Sequence, residues 1–268
     1  MPFFIFFLPP ALFLFYWGNQ RLIKSITRLS YFFSVKEFTL SFLFLGFIST
    51  LPNFLTGLYS AFHNIPLLSL GDILGGNVID LTLGVALAVF FTKGKMIKTE
   101  GKQLNQSLIF ALFCALLPLL LISDGAISKR DGLLLLFVFF IYLFWLLFKK
   151  EKSQIIFSDL ENTSFFQKIK IFFHEIFLLL FLIVLLFLCV QVIVSSVVFF
   201  SEKIGLTFFF GGIAILALIN CLPEIYFAVL SARQGKAEMV LGDLLSAVVG
   251  PATFVLGTVA FLNPFSLQ

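Results

Sequence analysis

Apolar residues fill the chain in long runs that clusters of polar residues separate. A helix needs about 20 mostly apolar residues to cross the hydrocarbon core of a bilayer. The predicted spans are 3–19, 38–62, 66–91, 104–123, 132–148, 176–200, 205–231 and 239–262. The first span is short, contains Pro9 and Pro10, and can continue past Arg21. The pattern therefore predicts an all-α, polytopic membrane protein with about eight transmembrane helices.

Composition supports the same class. Only 12% of the 268 residues are charged and 60% are hydrophobic, whereas a soluble domain carries about 25% charged residues. This balance excludes an ordinary soluble enzyme and a disordered chain, and the three cysteines do not suffice for a disulfide scaffold. The net charge of +4 is interpreted as loop charge and not as a nucleic-acid surface. The lipid bilayer is the predicted partner.

If successive spans cross the membrane in alternating directions, the Lys and Arg residues divide unequally between its two sides. Fifteen of the 18 fall on one side and three on the other. The larger group lies in 21–36, 93–102, 149–170 and 233–236, and the smaller group is Lys129, Arg130 and Lys203. Because cytoplasmic loops are enriched in Lys and Arg, we expect both termini outside and the larger group in the cytoplasm. The plasma (inner) membrane is the expected location.

Residues 149–175 are the one sizeable segment between predicted spans, and they carry mixed charge. We expect a cytoplasmic loop here. It divides the chain into a first membrane repeat, 1–148, with about five helices, and a second, 176–268, with about three. The end of the loop, from Phe165 to Lys170, fits either a short amphipathic helix on the membrane surface or the cytoplasmic end of the next span.

Two segments of the chain resemble each other. Residues 49–84 and 220–257 both contain Leu-Pro followed by Asn or Glu, and both contain Gly-Asp with its glycine 19 positions after the proline. Five spans separate the beginnings of the two copies, so we expect the copies to run in opposite directions. Inverted repeats with Pro-interrupted helices are typical of secondary transporters, whose substrate site lies between the repeats.

Each repeat places a proline near acidic or amide side chains in the middle of predicted spans. A proline inside a helix frees the carbonyl four residues earlier, and hydrocarbon does not tolerate a free carbonyl. Glu224, directly after Pro223, and Asp80 lie far from the ends of their spans. A charge at that depth costs roughly 2.5–3.5 kcal/mol on insertion scales. Since no basic residue lies at their level, we expect a cation bound by hard oxygen ligands.

Simpler interpretations remain for several of these residues. Pro52 alone is typical of a kinked helix. The glycines of the first repeat also suit close helix packing, and they are Gly71, Gly75, Gly76 and Gly84. Asp72 and Asp243 fit helix N-caps at the water interface as well as they fit cation ligands.

At these residues the chain resembles the calcium/cation antiporter superfamily, of the sodium/calcium exchanger type. The two repeats of that family read approximately G-T-S-x-P-E and then G-N-x-x-G-S-N-x-x-N/D. Residues 49–53 and 220–224 match the first element, and residues 71–80 match the second. Residues 124–132 are similar to the family's turn between helices four and five. The resemblance covers essentially the whole chain.

The resemblance implies cation ligands residue by residue. Glu224 matches a cation-binding glutamate and Asp80 an Asn or Asp ligand, but Asn53 stands where a second glutamate is expected. In the second repeat Val248 and Pro251 replace the ligands that correspond to Asn77 and Asp80. The candidate metal ligands are Glu224, Asp80, Asn53, Thr50, Ser49, Asn77, Asp72 and Asp243. No resident cofactor is expected, because the cations are cargo.

The implied function is secondary active antiport by alternating access, and not catalysis. Calcium, or another cation, would exchange for sodium or protons as the first and sixth spans move across the repeat core. The alternative is a degenerate homologue that does not transport and acts as a membrane partner or regulatory subunit. The family has ten helices, so the last two lack counterparts, either by natural loss or because the chain is a fragment. An oligomer, or a partner that supplies the missing helices, is compatible with this.

Overall fold

The structure is a computed structural model that describes residues 4–32, 37–92, 102–148, 165–233, 244–245 and 247–267. Almost all of these residues are helical, as the apolar runs predict. The first five helices are α1 (Phe4–Phe32), α2 (Glu37–Phe62), α3 (Pro66–Phe91), α4 (Lys102–Leu121) and α5 (Lys129–Phe148). They are followed by α6 (Phe165–Ile204), α7 (Phe208–Gly211, Gly212–Leu216 and Ala217–Arg233 in succession) and α8 (Ala247–Leu262).

Three helices contain π-helical stretches. They are Asp80–Gly84 in α3, Gly212–Leu216 in α7 and Gly250–Val255 in α8. Pro52 and Pro223, by contrast, lie inside α2 and α7 without ending either helix. Two of these stretches, Asp80–Gly84 and Gly250–Val255, lie within the described residues of the repeats, and π-helical turns frequently mark functional sites.

Several helices are long and apolar enough to cross a bilayer. Within the described residues, three meet this standard of length and composition, namely Pro66–Phe91, Ile169–Ile204 and Phe208–Leu230, and Leu108–Asp124 and Ala247–Leu262 are shorter apolar helices. Large side chains such as Phe137, Phe144 and Phe177 are more than half exposed on the outside of the bundle. Apolar surface of this extent is typical of contact with lipid. The eight-span count itself stays a prediction.

The bounds of α3 coincide with the predicted span 66–91, whereas α1 and α6 are longer than predicted. Helix α1 continues through Arg21, and it includes both Pro9 and Pro10. Helix α6 begins at Phe165, so the end of the predicted loop is the first part of the following helix and not a separate surface helix. Residues 149–164 lie outside the described residues, and the division into domains at 148 and 176 stays a prediction.

Helices α1 and α6 pack along their length. Their seam is apolar, with Phe15 and Leu22 of α1 buried against Leu182 and Leu186 of α6. Toward one end the seam is polar, because the Ser25 hydroxyl donates a hydrogen bond to the Glu175 carboxylate, and both side chains are buried. The two helices are thus joined by both apolar packing and a buried hydrogen bond.

Helices α3 and α7 cross with their backbones in contact. A Cβ at Gly71 would overlap the Phe209 carbonyl, and a Cβ at Gly75 would lie 2.8 Å from the Ala217 Cβ. The packing role that the sequence allowed for these two glycines is confirmed, since only small residues let helix backbones approach this closely. Further along, the Arg233 guanidinium lies 4.4 Å from the centre of the Phe91 ring.

These contacts also give the directions of the helices. Residue numbers increase together along α3 and α7, so the two helices run in the same direction. Helix α2 precedes α3 across the short turn 63–65 and packs back against it, with Gly57 beside Ser69. Helices α2 and α7, which carry the matching Leu-Pro elements, therefore run in opposite directions. The inverted topology of the repeats remains a prediction, which this relation supports.

Helix α8 closes the core between α2 and α5. Val255 and Val259 pack on Gly57 of α2, and the Gly257 backbone meets that of Gly132 in α5. A short antiparallel pair, β1 (Ala126–Ile127) with β2 (Phe265–Ser266), joins the chain after α8 to the turn between α4 and α5. This turn holds the segment 124–132 that the sequence analysis compared with the family's turn.

Candidate functional site

Polar residues gather where α3 and α7 cross, near the middle of both helices. On α3, Asp72, Gly76 and Asp80 recur every four residues and so form one stripe along the helix. On α7, Asn220 and Glu224 are also four residues apart, and both follow the residues that meet Gly71 and Gly75. All four polar side chains are buried, although none belongs to a polar region of the sequence.

Asp72 is held by a residue of the other repeat. The Asn220 side-chain amide donates a hydrogen bond of 2.8 Å to Asp72 Oδ2. The second oxygen, Oδ1, is buried and accepts no hydrogen bond from the described residues. Such an oxygen usually has a partner in folded proteins, so this carboxylate retains capacity for one more ligand.

Cys221 is a neighbour of the acidic groups. Its Sγ is 3.8 Å from the Gly76 carbonyl oxygen, and its thiol also hydrogen-bonds the Asp80 carboxylate. The charges of Asp72, Asp80 and Glu224 all act on this sulfur, and those of Asp72 and Asp80 act on each other. One buried thiol is therefore under the influence of three carboxyl groups.

The second half of the site belongs to α2 and α8. Thr50 is buried, and its hydroxyl occupies the place where a Cβ on Gly250 would lie, at the beginning of the α8 π-helical stretch. Asn53, one turn along α2, is half-buried, and within the described residues no hydrogen bond joins it to the carboxylates. Asn77 on α3 is buried, and its amide nitrogen has no hydrogen-bond partner among the described residues.

Buried hydroxyls continue from this site along the α2–α3 hairpin. Thr56 and Ser60 follow Thr50 on α2, and Ser69 faces them from α3 beside Gly57. The hydroxyl oxygens of Thr56, Ser60 and Ser69 have no hydrogen-bond partner within the described part of the chain. Buried hydroxyls that lack a partner among the described residues are suited to water or to an ion.

The structure confirms some expectations of burial and corrects one. Asp80 and Glu224 are buried in mid-helix as expected. The N-cap interpretation of Asp72 is wrong, because Asp72 lies in the second turn of α3, well inside the helix, with 2% of its surface exposed. Asp243 and the side chain of Ser49 lie outside the described residues.

Asn220 and Cys221 were not among the predicted ligands, although they are central to the site. The signal that could have found them is the repeat itself. Pro223 lies 171 positions after Pro52, and the same offset relates Asn220 to Ser49 and Cys221 to Thr50. The two hydroxyl positions of the first repeat therefore correspond to an amide and a thiol in the second.

These side chains do not already form a closed metal site. Within the described residues, no three His, Cys, Asp or Glu side chains lie in an arrangement that holds a metal ion. The arrangement is instead an open group of carboxylates that could close on a ligand.

The sequence was compared with models of known protein families. The family model described as sodium/calcium exchanger protein matches residues 3–148 and 174–268, which is most of the chain and includes every residue of the site. The chain belongs to this family. It is accordingly an integral membrane transporter of the cation-exchanger type and not an enzyme.

Two curated membrane proteins are similar to this chain over most of its length. Uncharacterized membrane protein MJ0091 of Methanocaldococcus jannaschii is 25% identical over 88% of this chain and 74% of its own length. Inner membrane protein YrbG of Escherichia coli is 20% identical over 92% of this chain and 76% of its own length. Both names describe membrane proteins.

Solved structures share the fold. The sodium-calcium exchanger NCX_Mj, in a crystal soaked with Na⁺ and Sr²⁺, matches with a TM-score of 0.65 and 21% identity, over 99% of this chain and 84% of that one. The H⁺/Ca²⁺ exchanger CAX matches with a TM-score of 0.74 and 18% identity, over 96% of this chain and 71% of that one. At these identities the matches show the fold alone.

Proposed function

We propose that the protein is a secondary active antiporter that exchanges a divalent cation for sodium or protons by alternating access. The names of the relatives favour calcium as one such cation, and either sodium or protons as the counter-ion. The proposed ligands are Asp80, Glu224 and Asp72, with Asn53, Thr50, Ser49 and Asn77 as neutral donors and Asp243 as the counterpart of Asp72 in the second repeat.

One observation carries this proposal. Among the described residues, the charged side chains that are buried are all carboxylates, namely Asp72, Asp80, Glu175 and Glu224. The charges of three of them, Asp72, Asp80 and Glu224, act on Cys221. Like charges that act on one buried place disfavour one another. A cation taken from solution would offset this repulsion.

Alternating access requires a route to the site from each side of the membrane. We assign one route to the buried hydroxyls of the α2–α3 hairpin, which lead from Thr50 toward the turn 63–65. With both termini outside, as the Lys and Arg distribution predicts, this turn faces the outside. Helices α1 and α6, which pack together and cover α2 and α7, would move as one unit to open the opposite side.

Uptake into proteoliposomes tests the proposal. Asp80→Asn and Glu224→Gln each keep the size of the side chain and remove its charge, so each should reduce cation-dependent uptake at least roughly tenfold. Glu202→Gln is the matched control, because Glu202 is an exposed carboxylate of α6. Uptake that is unchanged in both site variants would overturn the ligand assignment.

The alternative, a homologue that no longer transports, has its own support. Asn53 replaces one glutamate, and Val248 and Pro251 are buried where the second repeat would offer polar ligands. This alternative predicts that the wild-type protein takes up no cation under a sodium or a proton gradient. Uptake that depends on either gradient excludes it.

A further inference from the structure

We propose that Cys221 gives the transported cation a sulfur ligand, so that the site prefers a softer divalent cation of the Zn²⁺ or Cd²⁺ class over Ca²⁺. This inference rests on the proposed antiport function and names its preferred substrate class. Cys221 occupies the position that corresponds to Thr50, 171 residues earlier, where the first repeat has a hydroxyl. The two halves of the site therefore differ by one hard and one soft donor.

The surroundings of Cys221 are those of a ligand. The side chain is 4% exposed, its thiol hydrogen-bonds Asp80, and the charges of Asp72 and Glu224 also act on it. Glu224 is three residues ahead on the same face of α7, so its side chain is a neighbour of that of Cys221. An acidic residue of each of the two crossing helices thus acts on the sulfur.

A second observation at the site points independently to a ligand. Asp72 Oδ1 is buried and accepts no hydrogen bond from the described residues. It lies one turn before Gly76, whose carbonyl oxygen is next to the Cys221 sulfur. This Asp72 oxygen and the Gly76 carbonyl next to the Cys221 sulfur therefore lie on adjacent turns of α3, where this helix crosses α7.

The kind of donor, and not the number of donors, distinguishes this site from one built for calcium. Calcium takes oxygen ligands, whereas zinc is usually held by ligands that include nitrogen or sulfur. The second repeat has lost oxygens at two buried positions, since Val248 corresponds to Asn77 and Pro251 to Asp80. It offers a thiol at Cys221 instead, and thiolate ligands favour zinc and its heavier relatives.

The other two cysteines provide the control. Cys114 packs in an apolar cluster with Ala111 and Val249, and Cys189 packs in the apolar core that α1 and α6 share. The double substitution C114S/C189S leaves Cys221 as the one thiol in the 268-residue sequence. We expect this variant to transport as the wild type does.

The experiment uses the full chain in the C114S/C189S background, with and without C221S. Competition between Cd²⁺ and Ca²⁺ for uptake into proteoliposomes gives the selectivity. The ultraviolet absorption of a cadmium–thiolate bond in detergent gives the coordination directly. We expect the Cd²⁺-to-Ca²⁺ uptake ratio to fall at least roughly tenfold in C221S, and the absorption band to be present with Cys221 and absent without it. C221T, which restores the residue of the first repeat, should lower the ratio in the same way.

The outcomes separate this inference from the antiport function. If calcium is exchanged but the ratio is the same with and without Cys221, and no band forms, the sulfur ligand is excluded and antiport stands. If the band forms but no cation is taken up under any gradient, the sulfur ligand stands and antiport is excluded. A thermal melt of each variant identifies any loss of uptake that is due to unfolding.

Discussion

Asp72 illustrates how a single residue can link the two halves of the molecule. Its carboxylate lies on α3, and the amide that holds it belongs to Asn220 on α7. A hydrogen bond between a charged acceptor and a neutral donor, in a buried place, contributes more than one at the surface. The bond is therefore expected to matter for stability, whether or not a cation is bound.

Asn220→Ala should lower the free energy of unfolding by about 1–3 kcal/mol, because it removes a hydrogen bond from a buried carboxylate. Thermal melts in detergent provide the measurement. The loss should become smaller in an Asp72→Asn background, where the charge is already absent. An equal loss in both backgrounds would contradict the assignment of this pair.

The sequence predicted some residues of the site better than others. Asp80 and Glu224 were predicted because a carboxylate in mid-span is unusual whatever lies next to it. The correct environment of Asp72 could not be derived, since it depends on the crossing of α3 and α7, and the sequence alone also allowed an N-cap. Glu175 was missed for the same reason, because its partner Ser25 is 150 residues away. Cys221 was missed although the repeat marks its position.

The crossing of helices α3 and α7 depends on the absence of a side chain at Gly71. A methyl group at Gly71 would meet the Phe209 carbonyl of α7, whereas a methyl at Gly76 would meet the Cys221 sulfur at an ordinary contact distance of 3.4 Å. The two glycines are on the same helix, five residues apart, so they form a matched pair for substitution.

Gly71→Ala should lower the free energy of unfolding by roughly 1–3 kcal/mol or more, as overpacking of a close contact does. Gly76→Ala should have a much smaller effect. Size-exclusion profiles and melting temperatures of the two variants in detergent check this. Equal destabilisation would show that the α3–α7 backbone contact is not what limits stability.

Helix positions followed from hydropathy, but their lengths and irregularities did not. Apolar runs located α2 and α3 nearly to the residue because turn residues bound them closely. The extension of α1 past Arg21 was left open and the beginning of α6 was missed, since both helices include charged sequence, where hydropathy gives no signal. The π-helical stretches have no pattern of their own in the sequence.

For the whole molecule, the buried carboxylates predict that cations stabilise the fold. A ligand that binds the folded state alone adds about 2.7 kcal/mol when its concentration is 100 times its dissociation constant. The melting temperature in detergent should therefore rise with Ca²⁺ or Cd²⁺, more than with choline chloride at equal ionic strength. The rise should be absent in Asp80→Asn/Glu224→Gln. Equal rises in both proteins would place the stabilising ion elsewhere.

The membrane class, the helical fold and the family were all accessible from the sequence, because a low content of charged residues and a duplicated motif are properties of the chain as a whole. The orientation and the identity of the cation stay predictions, since they depend on the bilayer and on distances of a few ångströms. The expected cytoplasmic position of 149–175 therefore stays a prediction.

The π-helical stretches bear on the history of the molecule. Asp80–Gly84 and Gly250–Val255 end 171 residues apart, the same offset that separates Pro52 from Pro223. A π-helical turn encloses one residue more than an α-helical turn, and thus has the form of a one-residue insertion. If the two segments arose by duplication, the matching ends of the two stretches are most simply explained by an insertion that preceded it. The ancestral half would then already have had this bulge, which persisted after Asp80 and Pro251 had diverged in side-chain chemistry.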